Sequence, residues 1–338
     1  MLFLFLLLFL PLSLFSQERV FHLMGTYAVI DLPSEKAYQA YRIMKELEEK
    51  LSDYIEYSEV SRINRKAGVE PVEVSSETLE VIKKSLWLSE LTEGAFDITV
   101  GAITIMARRL WEISEDQARN LVNYKKVRVE GSSVFLEEKG MAIDLGGIGK
   151  GFAIQKAYEF IKTDKGFIAI AGDLRVWGHK RLLAVYNPIN GKILAQGYNK
   201  KDLCLSTSGN YRREHLIDKG SKLLQITVAH EDCTLADGLS TALFSMDDKR
   251  RWDFIEKHPQ FGYLLLFSDG SVYVNRTFLE FFDSLEFFES GVNRPMMSAY
   301  MVFSVRQGEG SSLLELDKKL ETGLWTERIG AQPTECKG

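Results

Sequence analysis

The chain has 338 residues, of which 45% are hydrophobic and 26% charged, and its formal net charge is −5. That length admits one large domain or two modest ones with a substantial core. Mild acidity removes the electrostatic case for nucleic-acid binding, so an anionic partner must be met by a local cation or a metal.

Met1 to Ser16 form an apolar block that ends before Gln17-Glu18-Arg19. It falls short of the about 20 residues that a membrane span needs. Residues 1–16 fit the apolar centre of a secretory signal peptide, with Ser16 near the cleavage point, although the usual positive start is missing. An uncleaved N-terminal anchor is the alternative, and in either case the globular part is expected outside the cytoplasm.

Val20–Leu32 alternates apolar and polar residues like a strand. Ser34 to Leu51 carries Ala40, Ile43, Met44, Leu47 and Leu51 at helical spacing, with Ser34 as N-cap. A second helix is predicted from Ser76 to Leu91, with Leu79, Ile82, Leu86 and Leu91 on one face and Thr92-Glu93-Gly94 ending it. Short strands follow at Val127–Val129, Val134–Leu136 and Met141–Ile143, broken by Gly131 and Gly140. Next come a helix over Lys150–Ile161 and strands at Phe167–Ile170, Leu182–Tyr186, Leu203–Ser206 and Leu223–Val228. A helix from about Leu235 to Met246 precedes a hairpin, Tyr263–Phe267 and Ser271–Val274, turned by Ser268-Asp269-Gly270. Met296–Val305 reads as a strand and Leu313–Leu320 as a helix. Strands and helices without a regular βαβ repeat predict an α+β fold. Cys204, Cys233 and Cys336 are odd in number and lack metal-ligand spacing, so they are expected as small buried hydrophobes. A single Cys204–Cys233 bridge is the alternative.

The chemistry concentrates first in Asp144-Leu145-Gly146-Gly147-Ile148-Gly149-Lys150-Gly151. Glycines at a turn into a helix let the backbone approach a ligand, helix N–H groups favour an anion, and Lys150 adds positive charge. The run matches neither the Walker phosphate loop nor the dinucleotide-binding glycine turn. Asp237 and Thr241 stand at i and i+4, so on a helix they share a face and offer hard oxygens to a cation such as Mg²⁺. His215 is the candidate general base, because an imidazole titrates near neutrality.

Further short segments surround these: Met24-Gly25-Thr26, Ser58-Glu59-Val60-Ser61-Arg62-Ile63-Asn64, Gly94-Ala95-Phe96-Asp97-Ile98-Thr99, Ala171-Gly172-Asp173-Leu174-Arg175, Ser206-Thr207-Ser208-Gly209-Asn210-Tyr211, His215-Leu216-Ile217-Asp218 and Ala236-Asp237-Gly238-Leu239-Ser240-Thr241-Ala242. In this order the set resembles the ApbE family of FAD:protein FMN transferases, from about Phe21 to about Phe282. The resemblance implies one intertwined, two-lobed catalytic unit over 20–283 with mixed or antiparallel sheets, followed by an extension of unknown role over 284–338. It implies transfer of FMN from FAD to a Thr or Ser hydroxyl of a target protein, with release of AMP. Mg²⁺ would be held by Asp237, Thr241 and the Gly147 carbonyl, with Ser240 where some members place a further metal-side Asp. His215 would be catalytic, with Asp218 orienting its ring. Cofactor contacts would come from Met24, Tyr54, Ala95, Phe96, Asp97, Asp144, Lys150, Ser208, Gly209 and Ile217. The implied partners are FAD and flavin-accepting subunits of membrane redox complexes. The implied location is the periplasm or the outer face of the inner membrane.

The family's His-x-Ile-Asp-Pro-x-Thr-Gly continues here as Asp218-Lys219-Gly220-Ser221-Lys222, without Pro or Thr-Gly. That altered segment gives one alternative, in which it disfavours the acceptor and water attacks instead, so that FAD is hydrolysed to FMN and AMP. A second alternative, of another class, is a periplasmic FAD-binding protein without turnover.

Overall fold

The computed structural model describes residues 18–188, 190–209 and 222–288. The leader, the segment with His215, Ile217 and Asp218, and the elements predicted at Met296–Val305 and Leu313–Leu320 lie outside the described residues.

The stretch read as one strand is a hairpin, β1 (Arg19–Leu23) and β2 (Thr26–Asp31). Met24 and Gly25, both at positive φ, form its two-residue turn, which suits the twist of the flanking strands. Helix α1 (Ser34–Leu51) follows as predicted, except that Pro33 occupies the cap and Ser34 begins the helix. Ala40, Met44, Leu47 and Leu51 are buried on its inner face. After α2 (Glu59–Arg65) and β3 (Val72–Glu73), α3 (Ser76–Leu91) has the predicted bounds. Its buried face is rotated to Thr78, Val81, Ile82, Ser85, Leu88 and Ser89. The small hydroxyl residues fit there because Ser85 and Ser89 donate to the carbonyls of Val81 and Ser85 inside the helix.

A π-helical turn, Ala102–Ala107, and α4 (Glu115–Leu121) lead to β4 (Val127–Glu130) and β5 (Ser133–Leu136). The strand predicted at Met141–Ile143 is reduced to one parallel bridge between Ala142 and Val100. The Asn64 side chain takes the place of a neighbouring strand there, donating to the Ile143 carbonyl at 3.0 Å and accepting from its N–H at 2.8 Å.

Helix α5 (Gly149–Ile161) is followed by β6 (Gly166–Ile170), β7 (Asp173–Trp177), β8 (Leu182–Tyr186), β9 (Ile193–Asn199), β10 (Leu203–Gly209) and β11 (Leu223–His230). Then come α6 (Cys233–Ser245), α7 (Asp248–Lys257), β12 (Gly262–Phe267), β13 (Val272–Val274), α8 (Arg276–Leu279) and β14 (Phe282–Phe287).

The strands build an eight-stranded sheet in the order β1-β2-β6-β7-β10-β11-β12-β13 and two three-stranded sheets, β14-β9-β8 and β3-β5-β4. Every pairing between named strands is antiparallel. The α+β expectation holds. Because β14 pairs with β9, the boundary drawn at residue 283 falls inside a strand of the second sheet.

Side-chain alternation places a separate core on each face of the large sheet. Along the fully buried β12, Tyr263, Leu265 and Phe267 join the core under α1, α5 and α6, while Leu264 and Leu266 join a second core with β8, β9 and β14. The large sheet therefore separates a helical layer from a small sheet.

Cys204 on β10 and Cys233 at the start of α6 form a disulfide across a separation of 29 residues. This corrects the expectation of unpaired buried thiols: the chain brings the two together where α6 packs on β10. Loop-closure entropy for such a span is about 3–4 kcal/mol. Replacing both cysteines by serine should lower the unfolding free energy by an amount of that order in denaturant titration. A change below about 1 kcal/mol would show that the bridge constrains little.

Candidate active site

The glycine-rich turn and α6 meet directly. The Gly151 N–H donates to Asp237 Oδ2 at 2.8 Å, and Thr241 Oγ1 donates to the Gly147 carbonyl at 3.0 Å. Both glycines are required by close approach. A Cβ at Gly151 would lie 2.2 Å from the Cys233 carbonyl oxygen, and one at Gly147 would lie 2.8 Å from Thr241 Cγ2. The first anion at the start of α5 is thus the chain's own Asp237 carboxylate, where free N–H groups and the helix dipole favour negative charge. Asp237 is 2% exposed, so its side chain meets fixed partners and scarcely any water.

Lys150 Nζ sits 2.7 Å from Asp173 Oδ2 and 3.6 Å from Asp237 Oδ1. Asp173, which carried no predicted role, is buried at the start of β7 and also accepts from the Ser206 hydroxyl. Ser206 Oγ contacts Ser240 Oγ at 3.0 Å, and Ser240 Oγ contacts Ser208 Oγ at 2.9 Å. Ser240 also donates to the Asp237 carbonyl at 3.0 Å. Four predicted site residues, Lys150, Asp237, Ser240 and Ser208, therefore share one polar network with Asp173 and Ser206. Gly209 ends β10 one residue later.

The donor set fits a hard cation. Asp237, Thr241 and the Gly147 carbonyl offer a carboxylate, a hydroxyl and a carbonyl within one junction, the oxygen chemistry that Mg²⁺ takes. Among the described residues no group of three or more His, Cys, Asp or Glu side chains is placed to hold a metal, so a site here depends on the hydroxyl and carbonyl oxygens beside Asp237.

A second cluster lies at the other end of the turn. Asp144 accepts from Thr104 Oγ1 and from the Gly146 N–H, both at 2.8 Å, and its own N–H donates to the Ile98 carbonyl at 2.8 Å. Arg109 pairs with Asp53 at 2.6 Å, and its guanidinium lies 4.1 Å over the centre of the Tyr54 ring, which is 81% exposed. Burial raises the Asp53 carboxyl above its ordinary value, and the negative charge of Asp144 adds to that rise. Met24 stands in the β1–β2 turn, half-buried against the main core.

The Gly94–Asp97 turn is tied to the end of α6, where Ser245 Oγ donates to the Ala95 carbonyl at 2.9 Å. Phe96 is buried in the main core. Asp97 accepts from the Thr99 N–H and hydroxyl and from the Tyr124 N–H, and burial raises its carboxyl. The Ser58–Asn64 segment is scaffold. Ser58 caps α2 by accepting from the Ser61 N–H, Glu59 accepts from Ser75 at the start of α3, and Asn64 fixes Ile143 just before the glycine turn.

The ApbE family profile matches residues 24–265, which spans every one of these elements from the β1–β2 turn to β12. The chain belongs to the ApbE family. A relative from Vibrio cholerae, named FAD:protein FMN transferase, is 26% identical over 246 residues, covering 62% of this chain and 72% of its own length. One of the same name from Chlamydia pneumoniae is 25% identical over 297 residues, covering 76% and 90%. The crystal structure of the ApbE protein from Thermotoga maritima superposes with a TM-score of 0.71 at 28% identity, covering 79% of this chain and 99% of that one. The flavin transferase ApbE from Vibrio cholerae shares the fold, with a TM-score of 0.67 at 24% identity over 78% of this chain and 98% of its own. Membership places this chain among flavin transferases, and the α5–α6 junction falls well inside the matched region.

Two outcomes follow. Gly151→Ala forces α5 and α6 apart and should destabilise the fold by about 1–3 kcal/mol in denaturant titration, whereas a neutral result would mean the helices are not held at this spacing. Because Asp53 has a folded pKa above its unfolded one, the folded chain binds more protons in that interval, and stability falls as pH rises through the folded value. Asp53→Asn should flatten that fall in unfolding free energy above about pH 4, and identical slopes in both proteins would contradict the assignment.

Proposed function

We propose that this protein transfers FMN from FAD to a Thr or Ser hydroxyl of a target protein and releases AMP. The observation that carries the reading is the junction itself: a turn suited to phosphate and a helix bearing Asp237 and Thr241 are joined by two direct hydrogen bonds. Family membership supports FAD as the donor.

In this reading the FAD diphosphate lies against the Gly146–Lys150 turn. Lys150 turns its ammonium to the phosphate oxygens, with Asp173 keeping it oriented from behind. Asp237, Thr241 and the Gly147 carbonyl would hold Mg²⁺, which when bound would neutralise charge on the diphosphate. His215 takes the proton from the acceptor hydroxyl as that oxygen attacks the FMN phosphorus, and Asp218 orients the imidazole. The bond between the two phosphorus atoms breaks, and AMP leaves with the electron pair on its phosphate oxygen. Tyr54, Met24 and the turn over Ala95, Phe96 and Asp97 line the space for the flat rings, a role suited to a polarisable thioether and an aromatic face.

We place the enzyme outside the cytoplasm, in the periplasm or on the outer face of the inner membrane, beside flavin-accepting subunits of redox complexes. The apolar leader supports this, and so does the Cys204–Cys233 bridge, since disulfides persist in oxidising compartments.

Incubation with FAD, Mg²⁺ and a Thr-containing acceptor peptide, with all products weighed by mass spectrometry, tests the reading. The expected product is peptide carrying FMN, together with AMP. Free FMN in its place would mean hydrolysis, and unchanged FAD would mean binding alone. Asp237→Ala should abolish metal-dependent turnover, and His215→Ala should slow transfer by roughly 10²-fold or more while sparing FAD binding. Full activity in either variant would remove that residue from the mechanism.

A further inference from the structure

Tyr54 belongs to no helix or strand and lies two residues beyond the Ser52 cap that ends α1. An aromatic ring that is 81% exposed on such a segment has little packing to fix its orientation. Arg109 supplies what packing does not. Its guanidinium lies 4.1 Å over the ring centre, while Nη2 binds the Asp53 carboxylate at 2.6 Å and the Asp53 carbonyl at 3.2 Å. One planar group thus grips both the backbone and the side chain of the residue next to Tyr54 and covers one face of its ring.

Arg109 is itself anchored. Its N–H donates to the Ile105 carbonyl at 3.2 Å, just past the π-helical turn Ala102–Ala107, and that turn also carries Thr104, which donates to Asp144. The Asp53 side chain is only 13% exposed and feels the charge of Asp144, so withdrawing Arg109 would leave a buried carboxylate uncompensated. The stack therefore connects through Asp53 and Asp144 to the start of the glycine turn, where Asp144 accepts from the Gly146 N–H. With Arg109 on one face and the ring otherwise exposed, the opposite face is free to stack a planar ring.

We propose that Arg109 is a positioning residue that fixes the Tyr54 ring as a stacking platform for one flat ring of the dinucleotide. This rests on the FAD reading above and adds a residue that no motif pointed to. Arg109→Gln removes the charge and the planar fork. Arg109→Lys keeps a cation for Asp53 but loses the flat stack.

The test is a calorimetric titration of the native protein, Arg109→Gln, Arg109→Lys, Tyr54→Leu and Arg109→Gln/Tyr54→Leu with FAD, and then with FMN and AMP, with thermal midpoints recorded for each. Arg109→Gln should weaken FAD binding about three- to tenfold. In the Tyr54→Leu background the same change should cost almost nothing further, because it acts through the ring. Arg109→Lys should recover the thermal midpoint and only part of the affinity, and it carries the test alone should Arg109→Gln fail to fold. Loss shared by FMN assigns the platform to the isoalloxazine, and loss shared by AMP assigns it to the adenine; either supports the proposal. Native-like FAD affinity in folded Arg109→Gln or Arg109→Lys would overturn it, as would an undiminished further loss in the Tyr54→Leu background. A native chain that binds no FAD would overturn the function reading and this one together, whereas native binding with unaffected variants would overturn this one alone.

Discussion

The hydrogen bond from the Gly151 N–H to the Asp237 carboxylate is the constraint around which the molecule is arranged. It demands that α5 and α6 approach closely enough to exclude any side chain at 151, and that an acidic side chain be buried between them. A buried carboxylate is tolerated only with fixed partners. Here they include a helix N-terminus and the Lys150 ammonium. The rest of the helical layer secures that geometry at both ends of α6. Asp232 caps its N-terminus, and the adjoining disulfide ties its first residue to β10. At its C-terminus the fully buried Arg251 donates to the Leu243 and Met246 carbonyls, satisfying the groups that a helix end leaves open.

The charge arrangement around Lys150 is graded. Asp173 is the nearer carboxylate, at 2.7 Å, and Asp237 the farther, at 3.6 Å. Among the described residues Lys150 thus joins the start of β7 to α6 through two buried acids. The hydroxyls of Ser206, Ser240 and Ser208 then carry hydrogen bonding from Asp173 to the end of β10 with no further charge.

Much of this was legible in the residues, and the exceptions have physical causes. The long amphipathic helices α1 and α3 and the strands with simple apolar patterns emerged with nearly their observed limits, because periodicity is strongest there. Strand β7 was hidden since it buries Asp173 and Arg175, two charged side chains whose partners lie far away in the chain. Strand β9 was hidden by Gln196-Gly197-Tyr198, and the strand expected at Met141–Ile143 gave way because an asparagine side chain took the neighbouring strand's place. At the site, order of motifs located Gly147, Lys150, Asp237, Ser240, Thr241 and Ser208, which the fold brings together. Asp173 and Ser206 stood inside motif segments without a role and Arg109 stood in none, since each matters only through a partner that sequence spacing does not reveal. The Cys204–Cys233 bridge is a case of the same kind: a gap of 29 residues says nothing until β10 and α6 are neighbours.

On the proposed function, the glycine turn and the Asp237–Thr241 pair enclose one diphosphate. A crystal structure of the protein with FAD and Mn²⁺ in place of Mg²⁺, using anomalous scattering to locate the ion, tests it most directly. The account requires an anomalous peak bonded to Asp237, Thr241 and the Gly147 carbonyl, with the diphosphate against Lys150. An ordered FAD whose phosphates lie elsewhere, or an ion held by other residues, would contradict it.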